Sequence, residues 1–539
     1  MTGKYSLPPT GAHRPVIMGL NGMVAAGHPL ATQAGLAVLR RGGNAFDAAF
    51  TTATVLAVVK PDMNGLGGDA FGLFYSSREN KVSALNASGP APAAARLGYF
   101  QARPPKPRSG AGTATVPGSV AGWFAMLERF GTLSAAELLQ PAIDYAAQGF
   151  PVNYFLFGSL TRYRDSLERY PATASIFLPG GRVPGPLERL VQPQLATTLR
   201  RLALEGASGF YLGETARAIA NFCAENDGFL AEADLANFRP EWKEPIRTGY
   251  RGLTVYSQPP VSQGHILLEA LNIIGDDNLA YTGLHSPETL HLLVEATRLA
   301  FADKLRFAGD PAFVAWPLDE LLSPERARHH RKSIQPGEAS RPAPVSPALP
   351  AMGGETTYFA VMDREGNAVS FIQSLFHAFG AGVVAGNTGV LLNDRLVGFS
   401  LDPESPNCLA PGKRPVHTLN PCLVMTPEGQ PFAALGTPGS DGQVQTNLQL
   451  LTHLLDYELP VQAAIEAPRW RRSSDGILSV EDRFPAATLD QLAHWGYRLE
   501  RVGHWSDKMG GAQIVMRQAR SGVLQGGADP RREGYAAGW

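Results

Sequence analysis

Apolar residues in the first part of the chain recur three and four positions apart. Over 29–41 (PLATQAGLAVLRR) they mark one face of a helix that Gly42-Gly43 stops, and Asn44 caps a second helix over 45–59 that ends before Pro61. The same spacing predicts helices around 119–130, 135–147, 191–205, 213–225, 265–275 and 287–307, the last opened by Ser286 at the N-cap and Pro287 at the first helical position. A β-branched and aromatic run predicts a strand over 248–257, closed by the turn 258–264 (QPPVSQG). Between 64 and 72 (NGLGGDAFG) glycines crowd a turn where backbone can approach backbone or ligand closely, ahead of a strand-like 73–75.

The pattern changes at 335–350 (QPGEASRPAPVSPALP), where Pro, Ser and Ala dominate and large apolar residues are scarce, so an exposed linker is expected. Beyond it short β-rich runs predict strands at 356–363, 368–374, 382–385, 389–393, 421–425 and 432–436. The chain therefore reads as a largely helical first part and a strand-rich second part, with no solenoid repeat.

Composition narrows the function classes. The chain has 539 residues and 44% apolar residues, enough for a large core; Gly 58 and Pro 43 fit many turns. Net charge is -1 with no long basic run, which argues against nucleic acid as partner; the stretch 326–332 (RARHHRK) reads as a solvated helix face. Cys223, Cys408 and Cys422 are too sparse for a disulfide framework or zinc knuckle, and Cys422 lies in an apolar strand. The 12 histidines show no paired-ligand spacing and no phosphate loop is present, so neither metal nor cofactor is expected. The N-terminus lacks an apolar leader core, and 45–59 is short for a membrane span and carries Asp47, so a cytoplasmic protein away from the membrane is expected.

The candidate chemistry begins just past the linker. Gly353-Gly354-Glu355 precedes Thr356-Thr357 at the head of a predicted strand, and the turn 364–367 leads to a second strand. A hairpin centred on residue 365 sets Ser374 across the ladder from Thr356, bringing two hydroxyls within about 5 Å between Cβ atoms. A threonine hydroxyl is a weak nucleophile without an adjacent base. Cleavage of the 355–356 bond would supply one, because a new α-amine titrates at about 7.7–8.0. The same hydroxyl can attack its own preceding carbonyl to make that cut. Thr356 and Thr357 also suit an ordinary strand, which threonine favours.

Other stretches decide between these readings. Gly42-Gly43-Asn44-Ala45 with Asp47-Ala48-Ala49, the 65–68 turn, the 116–122 run (VPGSVAG), Tyr250-Arg251-Gly252, Glu355-Thr356-Thr357, Phe379-Gly380-Ala381-Gly382, Pro411-Gly412-Lys413-Arg414-Pro415, Gly436-Thr437-Pro438-Gly439 and Asp529-Pro530-Arg531 together resemble the γ-glutamyltranspeptidase (glutathione hydrolase) family over nearly the whole chain. The resemblance implies an α+β fold, the four-layer αββα sandwich of N-terminal-nucleophile hydrolases. It implies autocleavage between Glu355 and Thr356 into a large subunit, 1–355, and a small subunit, 356–539, that stay together as one unit, and a possible homodimer. Thr356 matches the family nucleophile, Ser374 a hydroxyl that orients it, and Gly439 with Ser440 the pair whose N–H groups form the oxyanion hole.

The substrate pocket departs from the family. Ser88 stands where the family has its carboxylate-binding arginine, and Gly398 where it has the acid that reads an α-amine. Phe376 replaces an asparagine, His417-Thr418 replace paired serines, and Arg395 stands in the place of a neutral amide. Without those partners the burial of an ammonium and a carboxylate costs several kcal/mol. Arg395 can still hold one carboxylate bidentately. The expected activity is amide hydrolysis or acyl transfer on a γ-glutamyl or small carboxylate-bearing amide. Family branches that hydrolyse oxamate or deacylate β-lactam side chains are the alternatives, and an inactive binding homologue is the alternative of another class.

Overall fold

Two seven-stranded antiparallel sheets lie face to face in the computed structural model, which describes residues 12–104, 106–340 and 355–539. The first sheet runs Tyr535–Gly538, Gly22–Ala26, Glu355–Asp363, Ala368–Phe376, Asp69–Ser76, Lys81–Ala87, Glu241–Lys243. The second runs Ile17–Gly19, Leu524–Ala528, Gln513–Arg517, Pro431–Gly436, Cys422–Met425, Leu253–Ser257, Ile246–Tyr250. Side chains alternate across each strand, so each sheet has two faces to cover. Met23, Phe71, Tyr358, Ala360 and Ile372 of the first sheet meet Leu423, Ala434 and Val515 of the second in a dry inner layer.

Helices cover the outer faces. The helix Ala45–Val59 is buried along its whole length and packs with Ser119–Phe130 and Ala135–Gln148 on the first sheet. Asn44 caps it in a full capping box with Asp47. The helices Gly264–Ile273, Pro287–Phe307 and Gly442–Leu455 cover the second sheet. The architecture is thus the four-layer αββα sandwich, each sheet hydrophobic on both faces and therefore layered on both.

Several expectations change. The helices predicted over 45–59, 119–130 and 287–307 form with those bounds. The single strand expected over 248–257 is two, Ile246–Tyr250 and Leu253–Ser257, because Arg251 and Gly252 turn at φ 49° and 77°. No strands form at 382–385 or 389–393; one isolated bridge, Val384 to Leu391, joins these buried loops, and positive φ at Gly382, Gly386 and Gly389 breaks the extended run. The helical and strand-rich parts do not segregate, since both sheets draw strands from both sides of residue 355. The 326–332 stretch lies on helix Pro324–Ser333, but its face is not simply solvated: Arg326 pairs with Asp303 and Arg331 with Asp277. Cys422 is buried in the core, where desolvation raises its thiol pKa. Much of the Pro-rich stretch and Gly353-Gly354 lie outside the described residues, as does the start of the N-terminus. Among the described residues no helix is long and apolar enough to cross a membrane.

Candidate active site

The hairpin register holds. Thr357 pairs with Gln373 and Met362 with Ala368, as a centre at residue 365 requires. The ladder slips between Glu355 and Thr357, so Glu355 pairs with Phe376 instead. That irregularity re-aims the end of the strand, and bulges next to active sites commonly do this. The Thr356 hydroxyl donates to Ser374 Oγ at 3.2 Å. Ser374 in turn donates to the carbonyl oxygen of Glu355 at 2.7 Å and accepts from the Phe376 N–H at 2.8 Å. One hydroxyl therefore touches both the threonine and the carbonyl of the peptide bond before it. Thr356 and Ser374 are buried, so these bonds act where water screens them little.

Gly68 shows how closely the chain packs beneath this point: a Cβ there would stand 2.5 Å from the Ser374 carbonyl oxygen. That requirement accounts for one glycine of the 64–72 turn. Phe376, with φ 90°, is held in a conformation costly for a non-glycine residue. Its N–H bond to Ser374 compensates in part.

The second sheet brings the Gly439-Ser440 turn. Strand Pro431–Gly436 ends where Gly436 packs flat on the Tyr358 ring, two residues from Thr356. The turn then opens helix Gly442–Leu455, whose N-terminal dipole favours negative charge. Gly439 has φ 128° and Ser440 φ 55°. Among the described residues neither of their N–H groups donates a hydrogen bond. The carbonyl of Ser440 is fixed by Gln263 Nε2 at 3.1 Å, and the same amide nitrogen holds the Thr418 carbonyl at 2.9 Å. Gln263 is itself fixed by Lys304 Nζ at 3.0 Å.

Asp69 lies across the ladder from Ser374. Its Oδ2 accepts from Arg395 Nε at 3.1 Å and lies 3.1 Å from His417 Nε2, while its Oδ1 accepts from the Gly89 N–H at 2.9 Å. Arg395 is fully buried, its guanidinium over the Phe376 ring at 4.3 Å, and among the described residues neither Nη atom has a hydrogen-bond partner. Burial lowers its pKa to about 10, which leaves it charged at neutral pH. Burial, with the Arg395 charge next, lowers the His417 pKa to about 4, so the imidazole is neutral and its Nε2–H donates to Asp69.

The remaining expected pocket residues divide. Phe376 is in the cluster as the face beneath Arg395, and Thr418 enters through its carbonyl. The Ser88 hydroxyl is taken by Asn86 Oδ1 at 2.6 Å, beside Gly89 and hence beside Asp69. The Gly398 carbonyl accepts from Asn407 Nδ2 at 2.8 Å. Sequence reasoning missed Asp69, Gln263 and Lys304. Asp69 had a weak signal, an acid following a glycine pair, but its partners Arg395 and His417 lie more than three hundred positions away. Among the described residues no cluster of His, Cys, Asp or Glu suited to a metal occurs.

The family model described as Gamma-glutamyltranspeptidase matches residues 31–539. The chain is 40% identical over 529 residues to the glutathione hydrolase-like YwrD proenzyme of Bacillus subtilis, covering 97% of this chain and 99% of that protein. It is 36% identical to the oxamate amidohydrolase proenzyme of Klebsiella pneumoniae, covering 96% and 98%. Among solved structures, the cephalosporin acylase from Bacillus halodurans superposes with a TM-score of 0.92 at 37% identity, covering 100% of this chain and 99% of that one.

Proposed function

The chain belongs to the γ-glutamyltranspeptidase family of N-terminal-nucleophile amidohydrolases, and from that premise we propose that it cuts itself between Glu355 and Thr356 and then hydrolyses amides of carboxylate-bearing acyl groups through a Thr356 ester. The observation that carries the reading is the hydroxyl web: Thr356 Oγ on Ser374, and Ser374 on the Glu355 carbonyl oxygen.

In the uncut chain Thr356 Oγ adds to the Glu355 carbonyl carbon while Ser374 polarises its oxygen. The C–O bond forms, the C–N bond breaks, and the hydroxyl proton reaches the departing amine. Water then hydrolyses the ester, leaving a carboxylate on Glu355 and a free α-amine on Thr356. That amine is the base for every later cycle: it takes the Oγ proton as Oγ attacks substrate and returns it to the leaving amine. The Gly439 and Ser440 N–H groups, both without partners among the described residues, suit the tetrahedral oxyanion, where one lost donor typically costs about a hundred- to a thousandfold in rate.

The charges around Arg395 favour an acyl group with a carboxylate and no ammonium. Arg395 offers two unpartnered Nη atoms in a buried setting, matched to bidentate recognition of one carboxylate. The nearby acids are already engaged: Asp69 by Arg395, His417 and Gly89, and Asp394 by His377. An α-ammonium there would have to compete with these donors for Asp69 or Asp394. This argues for acyl groups related to oxamate or to dicarboxylic half-amides over γ-glutamyl, in keeping with the oxamate amidohydrolase and acylase relatives.

The test has two stages. Wild-type protein on a denaturing gel should give fragments 1–355 and 356–539, and Thr356→Ala a single folded chain without activity. Processed enzyme should then turn over oxamate or dicarboxylic half-anilides faster than γ-glutamyl anilide, with Arg395→Gln removing the preference. A single uncut wild-type chain that still hydrolyses an amide would overturn the proposal.

A further inference from the structure

Building on that reading, we infer that Arg532 is a positioning residue for self-cleavage, which recognises the side-chain carboxylate of Glu355 and so locks the scissile carbonyl against Ser374. Arg532 Nη1 donates to Glu355 Oε2 at 2.8 Å, and the pair is largely desolvated, the side chains being 9% and 24% exposed. Glu355 is the residue whose carbonyl Thr356 attacks. It is held in three ways: by ladder pairing with Phe376, by Ser374 on its carbonyl, and by Arg532 on its side chain.

Arg532 is built to stay in place. Its neighbour Arg531 is anchored in the core by Glu481 at 2.6 Å and by Asp529 at 3.2 Å. Asp529 also accepts from the Ala512 N–H at 3.0 Å and pairs with Arg469 at 2.7 Å. The Arg532 stem lies along Gly511, where a Cβ would meet its Cδ at 2.8 Å, and Nη2 donates to the Asp507 carbonyl at 3.2 Å. Gly510 packs against Gly439, so the segment on which the Arg532 stem lies also abuts the Gly439-Ser440 turn. Of the other charges facing this corner, Lys60 pairs with Glu533 and Asp62 accepts from Ser159. Arg532 thus supplies Glu355 with its one ion-pair partner among the described residues.

An attacking hydroxyl must meet the carbonyl carbon in a near-attack geometry, and small misplacements cost rate steeply. Strand pairing fixes Glu355 from the Phe376 side only, and the ladder is already irregular at this point. A second anchor through the side chain removes the remaining rotation. It also ties the end of the large subunit to the C-terminal strap of the small one, so the bond is presented only when both halves of the sandwich have assembled.

The experiment is a double-mutant cycle on the rate of self-cleavage in the full chain, followed by gel densitometry after purification of uncut protein. Glu355→Gln and Arg532→Gln should each slow cleavage by about ten- to a hundredfold, the range for a hydrogen bond to a charged group. The double variant should be no slower than either single one. Exchange of the charges, Glu355→Arg with Arg532→Glu, should recover part of the rate, and thermal midpoints should show all variants folded. Single effects that multiply in the double variant, or Glu355→Gln cleaving at the wild-type rate, would overturn the inference. A wild-type chain that never cuts itself would instead overturn the function proposed above.

Discussion

Ser374→Ala removes three bonds at once and separates chemistry from packing. The Glu355 carbonyl loses its 2.7 Å donor, the Thr356 hydroxyl its 3.2 Å acceptor, and the Phe376 N–H its 2.8 Å acceptor. Loss of one preorganised donor on a developing oxyanion costs about a hundred- to a thousandfold in rate. The stability cost comes chiefly from the buried Phe376 N–H left without a partner, about 1–3 kcal/mol. That amide is strained already at φ 90°, so relaxation of the backbone can recover part of this cost. The assay is a time course of freshly purified precursor on a denaturing gel, with the urea midpoint measured in parallel. Ser374→Thr, which keeps the hydroxyl, should process far faster than Ser374→Ala. If Ser374→Ala cuts itself at the parental rate while folded, the hydroxyl web does not carry the reaction.

Gly439→Ala places a side chain at φ 128°, a strain of about 1–3 kcal/mol, and turns its N–H, so gel processing and turnover should both fall; Ser440→Gly removes strain at φ 55° while keeping the N–H, so both should persist. Gln263→Leu frees the carbonyls of Thr418 and Ser440 and should lower kcat more than it raises KM, as steady-state kinetics would show. Stability should fall between pH 6.5 and 4. His28 and His453 are held down to about 3 and His417 to about 4, each chiefly by burial, so unfolding takes up protons there. Between its unfolded and folded pKa each such histidine gives a slope of about 1.4 kcal/mol per pH unit; its stabilisation is fully present above the unfolded pKa and is lost as pH falls toward the folded one. Buried Asp62 and Asp363, whose pKa values burial raises, oppose this, and His453→Gln should flatten the slope of urea midpoints against pH by close to one proton.

Local rules were enough for much of the molecule. The caps at Asn44 and Ser286, the helices they open and the hairpin centred on residue 365 follow from spacing and turn chemistry over a few residues. The meeting of Thr356 with Ser374 was readable because both lie on that one hairpin, where register is a matter of counting. Family-like stretches then pointed to the layered sandwich and to the Gly439-Ser440 turn.

What needed the assembled fold is whatever joins distant strands. Nothing near Asp69 in the chain announces that Arg395 and His417 converge on it, and nothing near Arg395 says that it is buried with its Nη atoms unpartnered. The grip of Arg532 on Glu355 joins residues 177 positions apart and is invisible to any window of sequence. Loops 382–385 and 389–393 have strand-like composition yet stay irregular, because neighbouring backbone, not β-propensity, decides whether an extended run finds a ladder. Periodicity is a local property set by bond geometry, whereas ion pairs and pockets depend on which surfaces the layers bury together, and that is settled only when the sheets close on one another.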